Sequence, residues 1–338
     1  DSLYGDQGND ELHGGSGNDD IRGMAGDDVL YGDSGDDDMF GDHVPANGEL
    51  EDDGNDIMYG GSGDDRLWGG AGNDVMYGGQ DNDWLDGGSG DDSIHGNLGN
   101  DTLIGRDGSD VLWGGSGNDL LYGDRQTGNN SDDGNDILWG GFGDDELFGR
   151  GGDDYLIGQN GLDVLTGGEG ADTFVLTSYS GANSKDTIKD YVDGTDKIGL
   201  INIDFDSLTI TQDDNAVDTN IADADGNIIA VLEGVTATNL DAGDFVSLDY
   251  DLSEILEVTP SMVNLDLISL GVDEDIAPDS DNEVSGSADS SDSSSSGSET
   301  GLASDNNSSN SNALISGDLI DSLVNHTEDL SLSFNDFI

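Results

Sequence analysis

From Gly5 onward the chain repeats itself every nine residues: residues 14–22 read GGSGNDDIR, 60–68 GGSGDDRLW and 114–122 GGSGNDLLY. Seventeen units begin at residues 5, 14, 23, 32, 41, 60, 69, 78, 87, 96, 105, 114, 123, 140, 149, 158 and 167, after a partial unit at residues 1–4. Position one is always Gly, position four is Gly except at Asp81, position six is always Asp, and position eight is always apolar, from Leu12 to Phe174. Self-similarity at a fixed short period is the mark of a solenoid, in which each unit buries its apolar side chain against its neighbours.

Each fixed letter has a physical reason. Repeated glycine allows tight turns with positive φ. Three residues with a central apolar one make a short strand whose middle side chain faces inward. Nine residues therefore give one turn and one strand, and eighteen close a coil with two parallel strands on opposite sides. With coils about 4.8 Å apart, eight to nine of them stack into a roll roughly 40 Å long.

Stacking aligns the position-six aspartates of units eighteen residues apart into columns of carboxylates. The composition aggravates this: 76 Asp and Glu against 8 Lys and Arg give a formal charge of −68. Such a chain repels itself unless something cationic neutralises it, and nucleic acid or an anionic membrane surface is a poor partner. Carboxylates and backbone carbonyls on flexible turns, with no cysteine in the chain, form an oxygen-only donor set. That set suits Ca²⁺, which takes six to eight oxygens in loose geometry, better than Mg²⁺, which demands a tight octahedron.

The pattern resembles the RTX (hemolysin-type) calcium-binding nonapeptide, G-G-x-G-x-D-x-U-x. The resemblance covers residues 1–175 and implies an all-β fold, a right-handed parallel β-roll (a β-solenoid), with several calcium ions held between same-side turns. Carried over, the metal ligands are Asp1, Asp10, Asp19, Asp28, Asp37, Asp56, Asp65, Asp74, Asp83, Asp92, Asp101, Asp110, Asp119, Asp136, Asp145, Asp154, Asp163 and Asp172. Asp10 would share an ion with Asp28, Asp19 with Asp37, and Asp101 with Asp119. The eighteen aspartates form sixteen such pairs; at two charges per ion, full occupancy offsets about half of the −68.

Two units are stretched, by DHVPANGELEDD after Gly41 and by DRQTGNNSDD after Gly123. Both are odd-numbered, so both loops leave one edge of the roll, beside Asp56 and Asp136. They lie 82 residues apart, as do His13 and His95, which points to a duplicated block. Position nine of the odd units reads His13, Tyr31, Tyr59, Tyr77, His95, Trp113, Trp139, Ile157, Val175. The expectation is an outward ladder, either a plain stack of strand-favouring aromatics or a recognition strip for a glycan or another surface.

After Phe174 the glycine rhythm fades. Residues 176–250, with DTIKDYVDGTDKIGL, SLTITQ, DADGN and IIAVLEGV, resemble the β-rich segment that comes after the repeats in secreted RTX proteins, and they would cap the open end of the roll. Residues 251–338 are a Ser/Asp-rich low-complexity tail that cannot bury enough surface to fold. Their last residues, Asp336, Phe337 and Ile338, resemble the finish of some type I secretion signals. The chain opens inside a repeat, which suggests a fragment or a processed product.

No apolar run is long enough for a transmembrane helix. There is no H-E-x-x-H and no G-x-S-x-G, and the repeat already explains the paired carboxylates. The resemblance therefore implies an extracellular, secreted, non-enzymatic calcium-binding module exported by type I machinery. Its alternatives are the C-terminal carrier of a larger secreted enzyme or toxin, and a cell-surface adhesive protein.

Overall fold

The computed structural model describes residues 1–42, 54–124, 134–177, 185–214 and 217–248. Alternate units feed two sheets. One, of thirteen strands, starts with Ser2–Gln7, Asp20–Ala25 and Asp38–Asp42; the other, of eleven, starts with Glu11–Ser16, Val29–Ser34 and Ile57–Ser62. Throughout the repeats, neighbouring strands in each sheet are parallel and one coil apart, as where Ile94 pairs with Leu112. This is the expected parallel β-roll.

Apart from Leu120–Tyr122, the repeat strands are longer than three residues. Val111–Ser116 spans six, because pairing continues through the glycines: Trp113 stands beside His95, Gly115 beside Asn97 and Ser116 beside Leu98. The turn is thus built into the strand end. Position two has a positive φ, and it seats side chains at Met24 (φ 90°), Arg106 (φ 91°) and Arg150 (φ 87°). Glycine is invariant instead at position one, where the constraint is space. A Cβ on Gly14 would stand 2.7 Å from Asp19 Oδ2 and 2.8 Å from the Gly32 carbonyl oxygen of the next coil.

Between the sheets runs one file of position-eight side chains. Ile21, Leu30, Met39, Met58 and their successors to Phe174 are fully buried, each burial stabilising by roughly 1.5–3 kcal/mol. The inserted loops leave this file undisturbed. Both depart where a strand of the thirteen-stranded sheet hands over to the eleven-stranded one, Asp38–Asp42 to Ile57–Ser62 and Leu120–Tyr122 to Ile137–Phe142. Across them Leu30 still pairs with Met58, and Leu112 with Leu138. The loops themselves, residues 43–53 and 125–133, lie outside the described residues.

The turns are also zipped at position five. The Asn100 side chain accepts the Asn118 backbone N–H at 2.7 Å, and Asn118 in turn accepts that of Asp144 at 3.0 Å. Each acceptor serves the following coil. The two units lacking an acceptor there, Leu162 and Ala171, are the last turns of their columns, where no further repeat stacks; their N–H groups still donate back to Asp144 and Asp153.

The position-nine ladder is present but not uniformly open. His13 stacks on Tyr31 with centroids 4.4 Å apart, and stacking continues through Tyr59, Tyr77, His95 and Trp113. Yet Tyr77, His95, Trp139, Ile157 and Val175 are buried. The ladder is a stack of strand aromatics, and Tyr31, Tyr59 and Trp113 within it are half-buried.

The roll does not end at residue 175. Thr173–Thr177 pairs with Lys197–Ile201, and Val164–Glu169 with Asp186–Ile188, so both sheets run on into the segment beyond. There the thirteen-stranded sheet turns antiparallel through Ile228–Leu232, Thr219–Ala222 and Thr209–Gln212. The Asp223 carboxylate organises the DADGN turn by accepting N–H groups from Asp225 and Asn227. Residues 249–338, with the tail and the secretion signal expected at its end, lie outside the described residues.

The position-five ladder makes a clear prediction. Asn100→Leu removes the acceptor for Asn118 and should cost about 1 kcal/mol, whereas Leu162→Asn should cost nothing, read by urea unfolding in saturating calcium. Equal costs would contradict the ladder.

Candidate metal centres

The position-six aspartates form two columns, one at each edge where the sheets meet. In each, a carboxylate reaches back to the preceding coil. Asp28 Oδ1 accepts the Asp10 backbone N–H at 2.8 Å, Asp37 that of Asp19 at 2.8 Å, and Asp119 that of Asp101 at 2.9 Å. The contact survives both insertions: Asp56 accepts from Asp28 and Asp136 from Asp110, each at 2.8 Å. The same bond links Asp37 to Asp65, Asp56 to Asp74, Asp65 to Asp83, Asp74 to Asp92, Asp83 to Asp101 and Asp92 to Asp110. It continues from Asp119 to Asp145, Asp136 to Asp154, Asp145 to Asp163 and Asp154 to Asp172.

Thus the structure brings together each neighbouring pair expected from the spacing. Asp1, in the first coil, differs only in its exposed carboxylate; its nitrogen makes the same contact to Asp19 Oδ1.

The second carboxylate oxygen behaves differently. In sixteen of the eighteen aspartates, Asp10 through Asp163, Oδ2 is buried and has no hydrogen-bond partner. Such an oxygen costs several kcal/mol unless paired. It lies under the position-one glycine of its own unit, facing the position-one carbonyl of the next coil, as at Gly14, Asp19 and Gly32. A buried carboxylate oxygen beside a backbone carbonyl, repeated along two columns, fits a hard divalent cation.

Among the described residues, no three His, Cys, Asp or Glu side chains converge on a point as a metal cage. A cation here would be shared between coils and held by paired aspartates and backbone oxygens.

Electrostatics favours the same reading. Carboxylates one strand spacing apart, about 4.8 Å, repel by roughly 3 kcal/mol per pair at an effective dielectric of about 20. Over sixteen pairs this exceeds the whole stability of an ordinary domain, about 5–15 kcal/mol. Burial accordingly raises these carboxyls, with help from neighbours' charges in all but Asp119: Asp37, Asp119, Asp163 and Asp172 to about 6, Asp56, Asp65 and Asp101 to about 7, Asp74, Asp110, Asp145 and Asp154 to about 8, and Asp83 to about 9. Asp92 and Asp136 are pushed well above the ordinary range by the same cause.

Four further carboxylates join the columns that the repeat pattern did not reveal. Asp196 accepts the Asp172 N–H at 3.1 Å, and Asp186 stands in the same relation to Asp163. The signal was an Asp two residues before a buried Ile, in Asp186-Thr187-Ile188 and Asp196-Lys197-Ile198, without the glycine turn. The other two are Asp42 and Asp124, at position two of the stretched units. Asp42 accepts the Ala71 N–H at 2.9 Å and Asp124 that of Gly151 at 3.1 Å. Their charge raises Asp56 and Asp74 on one side, and Asp110, Asp136 and Asp154 on the other.

A comparison with known families matches the RTX calcium-binding nonapeptide repeat (four copies) at residues 1–21, 13–42, 52–85, 77–108, 86–121, 95–128, 130–164 and 149–176. The chain belongs to the RTX calcium-binding repeat family. No curated protein matches this RTX chain.

Among solved structures it is similar to the AlgE6R3 subunit of the mannuronan C5-epimerase from Azotobacter vinelandii, at 24% identity and a TM-score of 0.23, over 50% of this chain and 78% of that one. It is also similar to the extracellular lipase LipA from Serratia marcescens, at 18% identity and a TM-score of 0.21. That match covers 69% of the RTX chain and 40% of the lipase.

The raised carboxyls predict an unusual pH response. Their folded values lie above the unfolded one of about 3.9, so the ion-free roll binds more protons than the unfolded chain. Their stabilising contribution is full below about pH 4 and is lost as pH rises through about 6 to 9. Calcium-free protein should therefore show more β-structure by circular dichroism at pH 4.5 than at pH 8.5; equal spectra, or the opposite order, would contradict this.

Proposed function

We propose that the chain is a secreted structural module whose roll forms when calcium outside the cell neutralises its two aspartate columns. The unpaired, buried Oδ2 atoms carry this reading. The calcium-binding repeat and the β-roll belong to the family; the export route, the extracellular setting and the ligand set named above are this proposal.

A bound calcium ion supplies two positive charges and an oxygen coordination sphere; the chain does the rest. Position-one glycines leave room beside Oδ2, position-six N–H groups fix Oδ1, and the apolar file draws the coils together once repulsion falls. At submicromolar free calcium, the charge of −68 favours an expanded, export-ready coil. Extracellular modules bind calcium at about 10⁻⁴–10⁻³ M, so millimolar calcium converts binding into folding free energy. Because each ion would sit between neighbouring coils, the transition is cooperative.

The chain itself acts as scaffold. The fully buried aspartates occupy regular repeat positions rather than a cleft, and their raised carboxyls result from stacking, so they do not mark acid–base catalysis.

Circular dichroism across a calcium titration tests the reading. The expected result is coil in chelator and β-structure by about 5 mM calcium, with a sigmoidal rise. Asp101→Asn, in mid-column, should raise the midpoint several-fold and lower the cooperativity. A chain equally ordered with and without calcium would refute the switch.

A further inference from the structure

Position two sets the two stretched units apart. In the fifteen regular units its residue has a positive φ. Where that residue is aspartate, at Asp6 (φ 75°) and Asp33 (φ 72°), it is exposed. At Asp42 and Asp124, where the insertions begin, φ is not positive. Asp42 instead closes the strand Asp38–Asp42 beside Met24. Both side chains turn inward, Asp42 to 5% exposure and Asp124 to 1%. The same residue type at the same position is thus buried only in the stretched units.

Each buried carboxylate enters the gap between its own coil and the next. Asp42 accepts the Ala71 N–H at 2.9 Å and Asp124 that of Gly151 at 3.1 Å, position three of the following coil in both cases. Asp42 also lies against Gly70, where a Cβ would stand 2.8 Å from its Oδ2. Immediately before Gly70, Gly69 offers the carbonyl that faces Asp56 Oδ2, and Gly149 offers the one that faces Asp136 Oδ2.

Those gaps already call for a cation. Asp56 and Asp136 are each 0% exposed, and their Oδ2 atoms have no hydrogen-bond partner. Oδ2 of Asp74 and of Asp154, one coil on, is buried and unpartnered as well. A further carboxylate carried into such a gap adds negative charge that burial penalises and a cation offsets. Asp42 acts on Asp56 more strongly than the column neighbour Asp28 does, and Asp124 acts on both Asp136 and Asp154.

We propose that each stretched unit builds a calcium site tighter than the regular ones: Asp42 with Asp56 and Asp74, and Asp124 with Asp136 and Asp154. The inference rests on calcium occupying the columns, as proposed above. Regular gaps present two aspartate carboxylates and turn carbonyls; these two gaps present a third carboxylate. It adds charge beside the ion rather than closing a cage, since no three such side chains converge among the described residues. Charge count and rigidity tune calcium affinity at oxygen sites. Both rise here, because a backbone N–H fixes the added carboxylate. As calcium rises, these two gaps fill first, and each insertion leaves the roll beside a gap that is already occupied.

Equilibrium dialysis of the full-length chain against radioactive calcium, with dichroism recorded in parallel, supplies the test. Two ions per chain should bind at a free calcium about tenfold below the dichroism midpoint. Asp42→Asn and Asp124→Asn keep an acceptor for the Ala71 and Gly151 N–H groups, so dichroism in saturating calcium should persist. Each substitution should move one early ion up to the midpoint, and the double variant should move both. Asp6→Asn and Asp33→Asn remove the same charge from position two where it is exposed, and should leave both early ions in place.

A single class of ions in the unsubstituted chain, a result that depends on no variant folding, would overturn the proposal. So would early ions that survive the double substitution, or that are lost equally with Asp6→Asn and Asp33→Asn. A chain that folds on calcium with one class of ions fails this inference alone; a chain that binds no calcium fails the folding switch as well.

Discussion

One atom per repeat governs this molecule: the Oδ2 of each position-six aspartate, buried between coils and without a hydrogen-bond partner from Asp10 to Asp163. Its partner oxygen is satisfied by the backbone of the preceding coil, which fixes the carboxylate in place. Repulsion of roughly 3 kcal/mol between neighbours in a column outweighs the net stability of a domain when summed, though the position-eight file places two apolar side chains in every coil. Hydrophobic burial shapes the roll, and on the proposed reading counter-charge decides whether it forms. On the proposed reading, the same feature that calls for calcium keeps the calcium-free chain extended at neutral pH.

Much of this was legible in the letters. A strict Gly at position one, Asp at six and an apolar residue at eight implied two parallel ladders, a single-file core and stacked carboxylates, and the registers of Ile94 with Leu112 and of Asp10 with Asp28 obey that arithmetic. What the pattern could not disclose depended on contacts between coils. Position-one glycine reads as a flexible turn residue, but it is small because Asp Oδ2 and a carbonyl crowd it. Position five reads as loop filler, yet its side chains zip one turn to the next, and Leu162 and Ala171 become intelligible only as column ends.

Deviations from the period hid the remaining members of the site. Asp186 and Asp196 extend the columns without a glycine turn to announce them, and Asp42 and Asp124 begin insertions, where the repeat frame is lost. The inserted loops leave the registers on either side unbroken, because the departing carboxylate takes over a backbone N–H of the next coil. The aromatic ladder was legible in part: period gives the direction of a side chain from its own sheet, but not how far that side chain is exposed.

Calcium's place between the coils is the claim on which the account stands, and anomalous scattering from crystals grown in calcium tests it most directly. The account predicts anomalous peaks in both columns, each beside a position-six Oδ2 and a position-one carbonyl oxygen of the next coil. Well-ordered columns whose Oδ2 atoms meet only water or protein donors, with no anomalous signal, would contradict it.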